Sequence, residues 1–301
     1  MIEPTSPVPE SSEPQRTRDP DRLRISDVSF VELMDLDEHG PDTYVGLAPR
    51  YPWGRLFGGQ VVAQALRAAQ LTVDEDYAVH SLHAYFIQGG THREPVRFEV
   101  NRLRNGTSFW VRQVVARQSS GAILNLSASF QRAEDAADVQ TQYRPEGLIG
   151  PDDAEEQGWG RMLDRRVAVR EFGHTSLWLR LAQELPNDAR LRACALAFLS
   201  DSVPTGAVRA THPVQVPREQ TRERFVGASL DHAVHFHRPA DPTQWMLADV
   251  VCHGLSGARG LSVANMFDST GVQVASVVQE VLLRERRQES SADAGFGGKS
   301  V

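Results

Sequence analysis

The sequence predicts an α+β fold made of two tandem modules, each an antiparallel sheet wrapped around one long helix. Three observations predict it. A stretch of helical periodicity followed by alternating strand patterns occurs twice along the 301 residues. Matching residues in the two runs recur about 150 positions apart, as Phe86 and Phe236, Gly121 and Gly271, and Gln131 and Gln279. An acidic stretch without periodicity separates them.

Residues 1–22 are rich in Pro, Ser and Glu, which predicts a disordered tail. The first module spans 23–132. Its helix opens on Gly58 and Gly59, and Val61, Val62, Ala65, Leu66 and Ala69 then form one apolar face. Two readings of the glycine pair stand open. Glycine lets a helix start sit tight against a sheet, or it leaves the first N–H groups exposed to an acceptor. The strand segments "VHSLHAYFIQ", "PVRFEVNRLR", "SFWVRQVVARQ" and "AILNLSASFQ" follow. Val96, Phe98 and Val100 share a face, as do Leu124, Leu126, Ala128 and Phe130.

Residues 133–161 are acidic and aperiodic, and read as a linker partly wrapped over the surface. The second module spans 162–286. Its helix, "DARLRACALAFLSDS", is apolar almost all round from Leu191 to Leu199, which predicts burial on every side. The strands "SLDHAVHFHRP", "QWMLADVVCH", "RGLSVANMF" and "VQVASVVQE" follow, and residues 287–301 read as a second disordered tail. Two such modules side by side pair their edge strands and leave a seam, where small-molecule sites tend to form.

Composition excludes several classes. A formal charge of −7 argues against nucleic acid as the main partner. No apolar run approaches a membrane span, and no signal region precedes the first module, so no membrane insertion and a cytoplasmic location are expected. Cys194 and Cys252 sit in apolar stretches and read as buried free thiols. Phosphate-loop and dinucleotide fingerprints are absent, so no cofactor is implied. His232, His235 and His237 lack a nearby Cys or Glu to complete a metal set; no metal is expected, and they read as structural or pocket-lining. "GLSGA" at 254–258 lacks the last glycine of a nucleophile elbow, and no histidine follows Ser256.

Three polar residues attract attention. Asp201 follows the buried helix, facing the negative end of its dipole, where burial and dipole both raise a carboxyl pKa. It is either a general base or a solvated residue where the helix runs out. Gln279 shares a strand face with Ala275, Val277 and Val281, so its amide points inward and needs partners. It either belongs to a site or ties two strands together. Ser229 begins a strand, where a serine alone is normally a turn residue.

In order along both halves, "FGGQVVAQAL", "VHSLHAYFIQGG", "LRNGTSFWVRQVVARQ", "SASFQ", "LSDS", "ASLDHAVHFHRP" and "VASVVQE" resemble the acyl-CoA thioesterase II family, roughly from Val28 to Arg284. The resemblance implies a double hotdog fold and hydrolysis of fatty acyl-CoA to free acid and CoA, without metal or covalent intermediate. It implies that Asp201 activates a water held by Ser229, where many members carry threonine, and by Gln279. It points to backbone N–H groups at Gly58 and Gly59 for the oxyanion, and to arginines such as Arg238 or Arg259 for the CoA phosphates. A homodimer or tetramer is expected on the same ground. Two alternatives remain: a hydratase or dehydratase on the same scaffold, for which no "GDxNPxH"-like segment is present, and a non-catalytic acyl-CoA-binding protein.

Overall fold

The computed structural model describes residues 23–157, 161–217 and 220–286. Both tails expected to be disordered, 1–22 and 287–301, lie outside the described residues, as do residues 158–160 of the linker. The first half contains α1 (Phe30–Met34), β1 (Asp37–Glu38), β2 (Thr43–Gly46), α2 (Gly58–Gln70), β3 (Tyr77–Phe86), β4 (Val96–Asn105), β5 (Phe109–Gln118) and β6 (Gly121–Arg132). The second begins with β7 (Glu155–Glu156), β8 (Leu163–Glu171) and β9 (His174–Leu181). Then come α3 (Ala189–Ser200), α4 (Pro204–Thr211), α5 (Thr221–Arg224) and β10 (Phe225–Ser229). It closes with β11 (Asp231–Phe236), β12 (Met246–Ser256), β13 (Arg259–Phe267) and β14 (Gln273–Glu285).

The strands form one antiparallel sheet in the order β1-β2-β4-β5-β6-β3-β11-β14-β13-β12-β9-β8-β7, with β10 pairing the end of β14. The join between the halves is the β3–β11 pair, running from Asp231 opposite Tyr85 to His235 opposite Ser81. Neither half leaves an open edge there. The 150-residue recurrence has a structural counterpart: Phe86 closes β3 and Phe236 closes β11, while Gly121 and Gly271 turn the chain at positive φ just at or before β6 and β14.

α2 and α3 pack against each other inside the curved sheet. Phe198 of α3 meets Phe30 and Phe57 edge-on, with centroids 5.6 and 5.1 Å away. Its ring is fully buried, and truncation to alanine costs about 3–5 kcal/mol. The strand faces predicted from alternation are the inward faces: Val96, Phe98, Val100, Leu124, Leu126, Ala128 and Phe130 are all buried.

Three features differ from the sequence reading. α2 is buried nearly all round rather than along one face, because its polar side is also enclosed. Gln60 and Gln64 donate to the Leu47 carbonyl at 2.9 and 3.0 Å, and Gln70 donates to the Arg190 carbonyl at 3.2 Å. β8, β9 and α4 had no counterpart in the sequence reading. β8 carries arginines at 165, 166 and 170 that blur its alternation, and α4 spans only eight residues with a glycine among them. "SLDHAVHFHRP" is not one strand but the end of β10 and all of β11, broken at Leu230.

The acidic linker, expected to be partly wrapped over the surface, is tied to the sheet by specific bonds. Gln140 donates to the Gly271 carbonyl and accepts from the Gln273 N–H, at 3.1 and 2.9 Å. Trp178 Nε1 donates to the Ile149 carbonyl at 2.8 Å. Cys194 and Cys252 are buried and free. Among the described residues no helix is long and apolar enough to cross a membrane.

Candidate active site

The end of α3 places Asp201. Asp188 caps the helix start by accepting the N–H groups of Arg190 and Leu191, at 2.8 and 3.2 Å. At the other end Ser202 turns its hydroxyl back onto the Leu199 carbonyl at 2.6 Å, while Ser200 Oγ lies 2.9 Å from the Ala197 carbonyl oxygen and 2.8 Å from His232 Nε2. Ser202 satisfies a helix-end acceptor, and the Asp201 carboxylate faces across toward the start of α2. It is 6% exposed. Burial raises its pKa from an ordinary 3.8 to about 7, opposed by the Gly59 N–H, Ser229, Gln279 and Arg55. The solvated alternative for Asp201 therefore fails.

Both glycines of the opening pair are explained by approach distances. A Cβ on Gly58 would lie 2.8 Å from Asp201 Oδ2 and 2.8 Å from the Phe86 ring. A Cβ on Gly59 would lie 2.5 Å from the Phe198 carbonyl oxygen and 2.5 Å from the Phe57 ring. The Gly59 N–H is directed at the Asp201 carboxylate and holds its pKa down against burial.

Ser229 reaches the site through a bulge. Ser229 pairs with Val281, yet Ala233 pairs with Val278, so β10 and β11 spend one residue more than β14 over the same stretch. At the break the Leu230 N–H donates to the Glu280 carbonyl at 2.9 Å, and the Glu280 N–H donates to Asp231 Oδ1 at 2.6 Å. The extra residue brings Ser229 to the same face as His232. Ser229 Oγ donates to Asp201 Oδ1 at 3.2 Å, and Gln279 Nε2 donates to Ser229 Oγ at 2.7 Å. The Gln279 side chain is fully buried; its Oε1 lies 2.6 Å from His232 Nδ1. The three polar residues singled out in the sequence are thus brought together.

Asp201, Ser229 and Gly58 lie on a cavity of about 910 Å³ between the two halves. Leu56, Phe57, Val61, Phe86 and Ile123 give it an apolar wall from the first half. Arg55, Arg165, Arg170, Arg209, Arg222 and Arg286 also line it, and among its described lining residues Asp201 is the one carboxylate. Among the described residues Arg55, Arg170, Arg209, Arg222 and Arg286 form no ion pair. Burial, and then the nearby Arg170, lower the pKa of Arg209. A protein of net charge −7 has gathered uncompensated cations at one mouth, which suits an anionic ligand. Thr175 Oγ1, buried on the same cavity, has no partner among the described residues.

Arg238 and Arg259 lie elsewhere. Arg238 is paired with Asp138 and donates to the Gln273 carbonyl at 2.7 Å, which fastens the linker to β14. Arg259 pairs with Glu280 at 2.8 Å. His235 meets His83 edge-on at 5.3 Å and His237 Nε2 lies 2.9 Å from Ser276 Oγ, both away from the cavity. Sequence reasoning missed the cavity arginines because Lys299 is the single lysine and arginine serves every other basic position. An arginine in this chain therefore carries no signal by itself.

A family model described as the acyl-CoA thioesterase N-terminal domain matches residues 47–131, and one described as the C-terminal domain matches residues 134–283. The chain is similar to acyl-coenzyme A thioesterase 8 of Homo sapiens, 30% identical over 89% of this chain and 92% of that protein. It is similar to the crystal structure of an acyl-CoA thioesterase II from Mycobacterium marinum, 35% identical with a TM-score of 0.74, covering 86% of this chain and 99% of that one. A protein with a hot dog fold from Alicyclobacillus acidocaldarius is 20% identical, with a TM-score of 0.69 over 86% of this chain and 98% of its own. That last likeness concerns the fold alone.

Proposed function

The chain belongs to the acyl-CoA thioesterase II family and hydrolyses acyl-CoA, and from that premise we propose that Asp201, Ser229 and Gln279 are its catalytic residues. The observation that carries this reading is the hydrogen-bonded chain from Gln279 through Ser229 to a buried carboxylate at the cavity wall. Ser229 Oγ donates to Asp201 and accepts from Gln279, leaving one lone pair to receive a hydrogen from water. The water's other proton passes to Asp201 as its oxygen attacks the thioester carbonyl carbon. The oxyanion so formed takes the N–H of Gly58, an orphan donor in the first turn of α2 that lines the cavity. Collapse breaks the carbon–sulfur bond, and the Asp201 carboxyl returns its proton to the departing CoA sulfur. A carboxyl pKa of about 7 suits both steps, since it accepts and releases a proton near neutral pH.

The substrate's two ends match the two parts of the cavity. The acyl chain lies along Leu56, Phe57, Val61, Phe86 and Ile123, so the substrates are fatty acyl-CoAs. The CoA phosphates meet Arg170, Arg209, Arg222 and Arg286.

The molecule is a double hotdog, with modules at 23–132 and 162–286 joined by residues 133–161. The N-terminal family model ends at residue 131 and the sheet path is arranged about the β3–β11 pair, which supports the end of the first module and two halves; the C-terminal model begins at 134 and takes in the linker. The enzyme works in the cytoplasm and assembles as a homodimer or tetramer, an assembly that sedimentation tests. Release of CoA, followed with a thiol reagent, tests the site: Ser229→Ala and Gln279→Ala each lower kcat by about tenfold or more. Wild-type kcat in both folded variants would contradict the assignment.

A further inference from the structure

We propose that His232, held by Ser200, is a positioning residue that fixes which way round the Gln279 amide sits and thereby makes Ser229 donate to Asp201. The inference rests on the catalytic assignment above and adds a direction to it. His232 is fully buried, with Nδ1 2.6 Å from Gln279 Oε1 and Nε2 2.8 Å from Ser200 Oγ.

An amide oxygen only accepts, so the proton of the Nδ1 contact belongs to the imidazole. Burial lowers the His232 pKa to about 4, so the ring is neutral and carries one proton. With that proton on Nδ1, Nε2 is an acceptor, and the single Ser200 hydroxyl proton goes to it at 2.8 Å rather than to the Ala197 carbonyl at 2.9 Å. Every bond then runs one way. Ser200 donates to His232, His232 to Gln279, Gln279 to Ser229, and Ser229 to Asp201. A Gln279 turned by half a revolution would put two donors together at His232 Nδ1 and offer its oxygen to Ser229. The Ser229 proton would then go to Gln279, and Asp201 would lose a donor.

Other charged groups do not compete for this chain. Asp201 is at its end, with Arg55 acting on that carboxylate. Asp231 and Glu280 neighbour His232 and Gln279 in sequence but alternate to the other face of the sheet, where Glu280 pairs with Arg259. The sequence reading placed His232 among structural histidines; its neighbours His235 and His237 fit that description and His232 does not.

Two substitutions of similar bulk separate positioning from packing. Asparagine places an amide N–H near the Nδ1 position, whereas leucine fills the space with no donor. His232→Leu is expected to lower kcat by about tenfold or more with KM within about twofold. The limb of its pH–rate profile set by Asp201 moves to higher pH, since one donor to that carboxylate is lost. His232→Asn restores most of kcat and the wild-type limb, although it too has lost the link to Ser200. If the leucine variant does not fold, His232→Met, which adapts to irregular space, serves in its place. Wild-type kcat and limb in the donor-free variant would overturn the inference, as would an equal loss in a folded His232→Asn. Asp201→Asn assayed alongside keeps the two ideas apart. If it is inactive the catalytic assignment stands whatever His232 does, and if it is active both fall.

Discussion

Gly58 and Asp201 bring the start of α2 and the end of α3 together at one buried carboxyl: a Cβ on Gly58 would lie 2.8 Å from Asp201 Oδ2, and the Gly59 N–H holds the Asp201 pKa down. The positive end of one helix dipole thus faces an anion that its own helix disfavours. This contact exists only because Gly58 and Gly59 have no side chains. The two glycines predict different failures. Gly58→Ala presses on Asp201 Oδ2 and the edge of Phe86, side-chain atoms that have some room to shift. It should cut kcat by about tenfold with a small change in Tm. Gly59→Ala presses on the backbone carbonyl of Phe198 and should cost about 1–3 kcal/mol or more of stability. Thermal melts and CoA release on both variants check this, and equal stability losses would count against it.

The buried pair Asp201 and His232 predicts an unusual dependence of stability on pH. The Asp201 pKa is raised from 3.8 to about 7. Its contribution is complete below about pH 4 and is lost as pH rises through 7. The His232 pKa is lowered from 6.5 to about 4, so its contribution is present above 6.5 and is lost as pH falls through 4. Between those limits the two slopes oppose each other in the wild type. Asp201→Asn leaves the histidine's slope alone, so urea unfolding should show stability rising by up to roughly 3 kcal/mol from pH 4 to 6.5. The variant should also exceed the wild type at pH 8, where a buried charge has been removed. A variant curve parallel to the wild-type curve would contradict the raised pKa of Asp201, and a variant curve flat from pH 4 to 6.5 would contradict the lowered pKa of His232.

The cavity arginines predict a binding effect. Arg170→Gln and Arg209→Gln should each raise KM for acyl-CoA by about three- to tenfold with kcat nearly unchanged, and should weaken the dependence of KM on salt. Arg238→Gln, which loosens the linker, should leave KM as it is. A larger KM change at Arg238 than at Arg170 would show that the phosphates bind elsewhere.

Much of this was legible in the sequence, for definable reasons. Alternation exposed the strands because one face of the sheet is buried, as Val96, Phe98 and Val100 show. Asp201 and Gln279 stood out because each is a polar group in an apolar setting. Ser229 gained its meaning only from the resemblance, since the bulge that turns its hydroxyl toward Asp201 leaves no mark in composition. His232 was hidden among neighbouring histidines with ordinary surface environments. β8 and α4 were hidden because both face the arginine-lined mouth, where function has replaced the apolar periodicity that reveals an element.

The measurement that bears most directly on the mechanism is CoA release from acyl-CoA by wild type and Asp201→Asn, in parallel from pH 5 to 9. The wild-type kcat should rise with pH through about 7 and then level, because the base must be ionised. The variant, folded as judged by its melt, should fall by about a thousandfold and lose that limb. Turnover by Asp201→Asn at the wild-type rate, or with the same limb, would show that another group activates the water.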